Sequence, residues 1–161
     1  MVYDFVLPNG NVCLLREAAP TDKRPLFTAG LTFSEWPVYE PYFEQMMHWQ
    51  VNGRCLWLIV EPANTAHPIA SGQLIYYPHT AEIANIIVHP HWQRQGIGQT
   101  LVTRLLITAS QQQTPFIETR VETDNSPALA LYTKLGFTEN GRVTLNQTPV
   151  IILHKKLTPN N

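Results

Sequence analysis

The stretch from Ala81 to Ser110 constrains the fold more than any other part of the chain, because three local patterns follow one another in it. A run rich in Ile and Val comes first, a turn that contains Gly96 and Gly98 follows, and apolar residues at helical spacing come last. The apolar positions are Leu101, Val102, Leu105, Leu106 and Ala109. They share one face of an α-helix, so the stretch predicts a strand, a turn and a helix that packs on a sheet.

The two glycines stand where the predicted helix begins, which is a favourable place for a phosphate group. Without side chains, Gly96 and Gly98 let a ligand approach the backbone, and the first free N–H groups of the helix attract negative charge. A dinucleotide fingerprint would need a third glycine where Leu101 stands, and a nucleoside-triphosphate loop would need Lys and then Ser or Thr after Gly98. Gln99 and Thr100 follow instead, so both of these ligand classes are disfavoured.

Six residues of this turn, Gln93 to Gly98, have the form (Gln/Arg)-x-x-Gly-x-(Gly/Ala), and Val88-His89-Pro90 precedes them. A second strand-to-helix stretch, Phe116 to Phe137, carries Asn125 just before its helix and Tyr132 seven residues later. Together these residues resemble the two acyl-coenzyme A motifs of the GNAT superfamily of N-acetyltransferases. In motif style the chain is most similar to the subgroup that acetylates ribosomal-protein N-termini.

The resemblance also implies a fold. It predicts an α/β (α+β) GNAT acyl-CoA N-acyltransferase fold, with a mixed central sheet of six or seven strands and about four helices. We expect residues 1–161 to form a single N-acetyltransferase domain, a length sufficient for one buried core. From Asp22 to Asn52 the spacing predicts two helices, and Pro25, Pro37 and Pro41 predict an irregular link between them.

Composition excludes several other classes of protein. Eleven Lys and Arg against twelve Asp and Glu give a net charge of −1, so no general basic field favours nucleic acid or a membrane as partner. The apolar runs are too short to cross a bilayer and the N-terminus lacks a secretion signal, so we expect a soluble cytoplasmic protein. Cys13 and Cys55 lie in apolar runs, which favours two buried thiols over a disulfide.

The resemblance implies acetyl-CoA as cosubstrate and no metal, so His89 and His91 are expected to be surface residues. Main-chain N–H groups of the glycine turn would hold the pyrophosphate, and the strand before it would pair with the pantetheine arm. The residues implied to bind the cofactor are Ile86, Ile87, Val88, Gln93, Arg94, Gln95, Gly96, Ile97, Gly98, Gln99, Asn125 and Tyr132. Asn125 can equally serve as a helix cap.

Acetyl transfer to an amine needs a neutral amine, a donor for the developing oxyanion and a proton for the departing thiolate. The resemblance assigns the general acid to Tyr132, whose alternative is an ordinary packed tyrosine. As general base we rank Glu82 first and Glu118 next; solvated carboxylates and a water relay remain the alternatives. The ribosomal-protein subgroup has a Glu at the position that Arg120 occupies in this chain.

In GNAT proteins the link between the first two helices often lines the acceptor pocket, which makes Trp36, Tyr39 and Tyr42 the predicted substrate-binding residues. The predicted function is transfer from acetyl-CoA to a primary amine by direct attack in a ternary complex. The acceptor is a small-molecule amine or a peptide, and GNAT domains often pair as homodimers. Two alternatives remain: a non-catalytic acyl-CoA-binding or sensing module, which Arg120 raises, and, more distantly, a nucleotide-binding protein.

Overall fold

The computed structural model describes residues 1–32 and 34–158; residues 33 and 159–161 of the predicted domain lie outside the description. Within the described residues the core is one mixed sheet of eight strands. The strands are β1 (Val2–Val6), β2 (Val12–Glu17), β3 (Cys55–Pro62), β4 (Ala70–Tyr76), β5 (Ala81–Val88), β6 (Phe116–Glu122), β7 (Thr138–Leu145) and β8 (Thr148–Lys156).

The sheet is wider than predicted. Its strand order is β1-β2-β3-β4-β5-β6-β8-β7, which exceeds the six or seven strands expected from the sequence. The additional strand is β1, which pairs antiparallel with β2 from Val2 opposite Arg16 to Val6 opposite Val12. The turn after β1 therefore closes a hairpin with β2, and the sheet has one strand more at this edge.

Among the strands that the structure describes, a single neighbouring pair is parallel, and it separates after three residues. Strand β5 pairs with β6 from Ala81 opposite Ile117 to Ile83 opposite Thr119. On its other edge β5 stays paired with β4 as far as Val88, although the register shifts between Ser71 and Gln73. The second half of β5 therefore has a strand neighbour on one side and a gap on the other.

In residues 1–32 and 34–158, four α-helices cover the two faces of the sheet: α1 (Lys23–Thr28), α2 (Trp36–Val51), α3 (Ile97–Gln111) and α4 (Ser126–Lys134). The first two pack with Trp57 and Ile59 in one buried cluster. The last two pack with the alternate residues Leu58 and Val60 in another. Because side chains alternate along a strand, the two helix pairs lie on opposite faces. None of the helices in the described residues is long and apolar enough to cross a membrane.

The predicted pair of helices with an irregular link is confirmed, but Pro41 does not break the second one. It lies inside α2, in its second turn, where a proline costs helix hydrogen bonding. The same helix buries Tyr39, Phe43 and Met46 against the sheet. Burial of that face offsets the local cost, since helices in proteins depend mainly on tertiary packing.

Candidate active site

The loop before α3 has the backbone geometry of an anion-binding turn. Gly96 caps the helix with a φ of 84° and Arg94 has a φ of 62°, both in the left-handed region. A Cβ built on Gly96 would have no heavy atom within 4 Å, so this surface is open. The α3 helix begins at Ile97, and its first N–H groups have no partner within the helix. The loop can therefore receive a phosphate on main-chain donors.

Internal packing does not require a glycine at position 98. A Cβ there would meet Leu131 Cδ2 and Val88 Cγ2 at 3.8 Å, which is ordinary van der Waals contact. The absence of a side chain instead leaves the backbone of the first turn of α3 uncovered. Val88 lies directly below this turn, so the end of β5 and the start of α3 form one continuous surface.

The glutamine side chains of the loop form hydrogen bonds within the protein that hold the loop in place. Gln93 Nε2 donates to Val88 O at 3.0 Å, and Gln95 Oε1 accepts from Asn9 Nδ2 at 3.2 Å. Gln99 Oε1 accepts from Lys134 Nζ at 3.0 Å, which ties the start of α3 to the end of α4. The sequence analysis did not find Asn9, because 86 residues separate it from its partner.

The gap between β5 and β6 is a cleft of about 330 Å³, which we call the β5–β6 cleft. Its walls bring together residues from the two sequence motifs, and four predicted cofactor-binding residues line it: Ile86 and Ile87 of β5, Asn125 before α4 and Tyr132 of α4. The lining residues are Glu82, Ile83, Ala84, Asn85, Ile86, Ile87, Thr119, Arg120, Val121, Glu122, Asn125, Ala128, Leu131 and Tyr132. Glu118 and Val88 lie beside the cleft but do not line it.

Tyr132 forms part of the cleft wall from α4 and is almost completely buried. Its ring packs edge-on against Phe137 at 5.1 Å, and its hydroxyl forms a hydrogen bond with the Thr119 side chain. Thr119 Oγ1 in turn donates to Ile83 O at 2.9 Å, at the point where β5 and β6 separate. Burial raises the pKa of Tyr132 to about 12, against a weaker opposing effect of the Thr119 hydrogen bond. The phenol therefore stays protonated at neutral pH on the wall of the cleft.

Asn125 lines the cleft and also caps a helix. Its Oδ1 accepts from Ala128 N at 3.2 Å, which satisfies one of the free N–H groups of α4. The capping alternative raised by the sequence is therefore confirmed, and the predicted cofactor contact through this side chain stays a prediction.

The two predicted bases occupy different surroundings on neighbouring strands. Glu82 and Glu118 are register partners across β5 and β6. The side chain of Glu82 is 15% exposed, with Arg120 Nη1 3.4 Å from its Oε1 and Tyr77 Oη 3.4 Å from its Oε2. Glu118 faces His154 of β8 in register. Glu82 is thus the predicted base that reaches the cleft.

One of the three predicted acceptor residues is wrong. Tyr39 is 1% exposed, and its hydroxyl donates to Lys23 O at 2.9 Å. It stacks with Phe27 in the core below α2, so no acceptor can reach it. Trp36 packs against the same rings under the Arg24 guanidinium, outside the β5–β6 cleft. Its role as a wall of the acceptor pocket stays a prediction.

Tyr42 points to a group of residues that the sequence analysis missed. Its hydroxyl donates to Gln73 Oε1 at 2.6 Å and accepts from Asn85 Nδ2 at 2.8 Å. Burial raises the pKa of Tyr42 to about 12, so the hydroxyl remains a donor. The available sequence signal was Asn85 itself, a polar residue prone to left-handed backbone within an Ile-rich strand.

Other reactive side chains lie away from the cleft. His89 and His91 stack at 5.1 Å in the loop after β5. Among residues 1–32 and 34–158, no group of three or more His, Cys, Asp and Glu side chains is arranged to hold a metal ion. Cys13 and Cys55 are both free and buried, as predicted. Burial raises the pKa of both thiols, that of Cys55 to about 12.

A parallel strand pair that separates beside a glycine-led helix defines the class of acyl-CoA-dependent N-acyltransferases that the motifs resemble. The family comparison agrees: residues 22–137 match the acetyltransferase (GNAT) family, and the chain belongs to that family.

Relatives of known identity support the same placement. The chain is 37% identical over 59 residues to the [ribosomal protein bS18]-alanine N-acetyltransferase of Escherichia coli strain K12, and this match covers 37% of the chain and 40% of the relative. The crystal structure of the ribosomal-protein-S18-alanine N-acetyltransferase from Escherichia coli superposes with a TM-score of 0.75 at 19% identity, covering 92% and 96% of the two chains. The spermidine N-acetyltransferase from Vibrio cholerae, solved with CoA and spermine, gives 0.71 at 23% identity, covering 89% and 95%. At these identities the two structures show the shared fold.

Proposed function

We propose that this protein transfers an acetyl group from acetyl-CoA to a primary amine, by direct attack in a ternary complex. The observation that carries the proposal is the β5–β6 cleft, which Tyr132 lines, together with the continuation of β5 from this cleft to Val88 beside the open first turn of α3. Acetyl-CoA supplies the thioester-linked acetyl group. Main-chain donors from Arg94 to Gln99 would hold its diphosphate, and residues 86–88 of β5 would pair with its pantetheine arm.

Residues around the cleft supply the remaining chemical roles. A backbone N–H of β5 near Val88 would stabilise the oxyanion, where a fixed donor is worth most. Tyr132 would donate a hydrogen bond or a proton to the departing sulfur. Glu82 would accept a proton from the amine, directly or through a water molecule. Glu118 is the second candidate for that role.

Direct attack is favoured over an acyl-enzyme by the state of the two cysteines. A nucleophilic cysteine needs an accessible thiolate. Cys13 and Cys55 are fully or almost fully buried, and burial raises the pKa of both thiols. Neither lines the β5–β6 cleft.

The acceptor is proposed only as a class: a primary amine of a peptide N-terminus or of a small molecule. The relatives named above are bS18-alanine and spermidine N-acetyltransferases, which represent both kinds. The bS18 relative also supports action in the cytoplasm. The sequence match spans less than half of that relative, so its own substrate is one member of the panel to be tested.

Tyr132→Phe tests the proposal. We expect acetyl transfer at least about tenfold slower, because the ring still packs but the sulfur loses its hydrogen-bond donor. The dissociation constant for CoA should change little. The assay measures thiol release with a panel of peptide and small-molecule amines, and binding is measured by calorimetry. Tyr3→Phe is the matched control, since Tyr3 lies outside the cleft below Arg104 and should leave transfer unchanged.

A second function is favoured by one observation, the ion pair of Arg120 with Glu82. A guanidinium beside the first-ranked base competes for its proton-accepting oxygen, which suits an acyl-CoA sensor better than an enzyme. Tight CoA binding without thiol release for any amine in the panel would favour this sensor and would contradict catalysis. Loss of both properties would contradict both functions.

A further inference from the structure

The geometry points to Tyr42, Gln73 and Asn85 as positioning residues that set the direction of the β5 backbone in the β5–β6 cleft. We call these three residues the bulge network. The inference rests on the proposed function and deepens it, because it states what aligns the oxyanion donor. It also gives α2 a direct link to the strand that would hold the thioester.

The first step is an irregularity in β5. Asn85 has a φ of 59°, a left-handed conformation in the interior of a strand. Ser71 lies opposite Ile87 and Gln73 lies opposite Ala84, so two residues of β5 face one residue of β4. This is a β-bulge, which bends its strand and redirects the residues that follow.

The second step is the set of hydrogen bonds that holds the bulge. Asn85 Nδ2 donates to Gln73 Oε1 at 2.7 Å and to Tyr42 Oη at 2.8 Å, and Tyr42 Oη donates to Gln73 Oε1 at 2.6 Å. These bonds form a closed triangle between α2, β4 and β5. Tyr42 also packs edge-on against Trp57 at 6.3 Å, which restricts its ring.

The third step concerns the side-chain amide nitrogen of Gln73. Gln73 is fully buried, and its Nε2 has no hydrogen-bond partner among the residues that the structure describes. An unpaired buried amide is unfavourable for folding. An apolar side chain would avoid that cost, so stability alone does not account for a glutamine here. Its Oε1, which accepts two of the three bonds of the triangle, does account for it.

The fourth step links the bulge to the cleft. Opposite the bulge stands Gly72, and a Cβ there would lie 2.5 Å from Ile86 Cδ1. The bulged strand thus packs directly on the backbone of β4. Ile86 is the second residue of the bulge and Ile87 follows it; both line the cleft and have lost β6 as a neighbour. Their backbone direction is therefore set from the β4 and α2 side, and an oxyanion donor works only when it is placed in advance.

The experiment compares Tyr42→Phe, Asn85→Gly and the double variant in steady-state acetyl transfer. Glycine accepts a left-handed φ, so Asn85→Gly removes the amide without straining the backbone. We expect each single variant to lower kcat about tenfold, as for one lost buried hydrogen bond. KM for acetyl-CoA and the dissociation constant for CoA should stay within about twofold, since the loop before α3 is untouched. The double variant should be no slower than the slower single one, because both changes break one network.

Matched controls separate positioning from strain. Gln113 has a φ of 58°, almost the same as Asn85, and lies outside the cleft. Asn85→Ala and Gln113→Ala both place an alanine in the left-handed region, so both should lose stability in urea unfolding, Asn85→Ala more because it also loses two hydrogen bonds. Only Asn85→Ala should lose kcat. Tyr3→Phe is the control for removal of a tyrosine hydroxyl.

The inference is overturned if Tyr42→Phe and Asn85→Gly keep wild-type kcat while the wild type is active. It is also overturned if the two effects multiply in the double variant, or if kcat falls only in proportion to unfolding. A wild-type protein that releases no thiol overturns the proposed function and this inference together. If the wild type is active and the variants keep its kcat, the proposed function stands and only this inference fails.

Discussion

At the scale of single residues, the site depends on which carboxylate reaches the cleft. Glu82 and Glu118 are register partners, yet only Glu82 lines the β5–β6 cleft. Glu82 is also held on two sides, by Arg120 and by the Tyr77 hydroxyl. Both residues are glutamates, so access to the cleft is what distinguishes them.

Glu82→Gln and Glu118→Gln form a matched pair that tests this distinction. We expect Glu82→Gln to lower kcat by about 10²-fold, in the range for loss of a general base, because the amide cannot take the amine proton. Glu118→Gln should stay within about threefold of wild type, since its side chain faces His154 outside the cleft. The measurement is the pH profile of kcat/KM for both variants. Equal losses would assign no special role to Glu82, and no loss in either would favour a water relay.

At the scale of elements, the cleft exists because β5 has different neighbours along its length. Its first three residues pair with β6, and its second half pairs with β4 alone. The start of α3 then sits over Val88 at the end of the same strand. One strand thus runs from the closed end of the cleft, where it pairs with β6, through its open middle to the glycine turn before α3.

Gly72→Ala tests the close contact of β4 with the bulge of β5. The added methyl group would lie 2.5 Å from Ile86 Cδ1 and 3.0 Å from Leu101 Cδ2, so Ile86 must move. We expect a loss of about 1–3 kcal/mol in unfolding free energy, as for other overpacked sites. We also expect a higher KM for acetyl-CoA, because Ile86 lines the cleft.

The control for this substitution is Gly141→Ala. Gly141 also lies in a strand, β7, but a Cβ there would meet nothing within 4 Å. Urea unfolding and substrate titration of both variants make the comparison. A Gly72→Ala protein that matches Gly141→Ala in stability and KM would contradict the close packing described above.

At the scale of the whole molecule, the two buried clusters on either side of the sheet contain tyrosine hydroxyls and a cysteine thiol whose pKa values are raised by burial. Desolvation raises the pKa of Tyr42, Tyr76 and Tyr132 from 10.0 to about 12. It raises the pKa of the Cys55 thiol from 9.0 to about 12. The folded state therefore holds these protons at a pH where the unfolded chain releases them.

Stability should consequently fall in alkali before any of these groups ionises in the folded protein. A raised folded pKa gives stability that is complete below the unfolded pKa and is lost as pH rises toward the folded pKa. The window begins near pH 9 for Cys55 and near pH 10 for the tyrosines. The deeply buried Cys55 and Tyr132 each contribute a loss of up to about 1.4 kcal/mol per pH unit inside it. The partly exposed Tyr76 contributes less, because solvent screens its hydroxyl.

Urea unfolding at pH 8, 9, 10 and 11 measures this loss. Tyr76→Phe should reduce the slope of stability against pH above pH 10, because one titrating group is removed. A midpoint that stays constant up to pH 11 would contradict the burial of these hydroxyls and of the Cys55 thiol.

What the sequence by itself determined is local. The spacing of Leu101, Leu105 and Ala109 predicted the buried face of α3, and the structure buries all three. The glycine turn and the Asn125 cap depend on residues a few positions apart, so the sequence shows them directly. The spacing of residues within α2 could not predict the burial of Tyr39, because its stacking partner and the acceptor of its hydroxyl belong to α1.

Only the tertiary structure decided how the cleft is built. Asn85 meets Tyr42 across 43 residues and Gln73 across 12, and β5 parts from β6 where Ile83 and Thr119 last pair. These features depend on which strands become neighbours and where their pairing stops. The spacing of residues within one segment does not predict which strands become neighbours, since hydrogen bonds between distant segments form only when the whole sheet assembles.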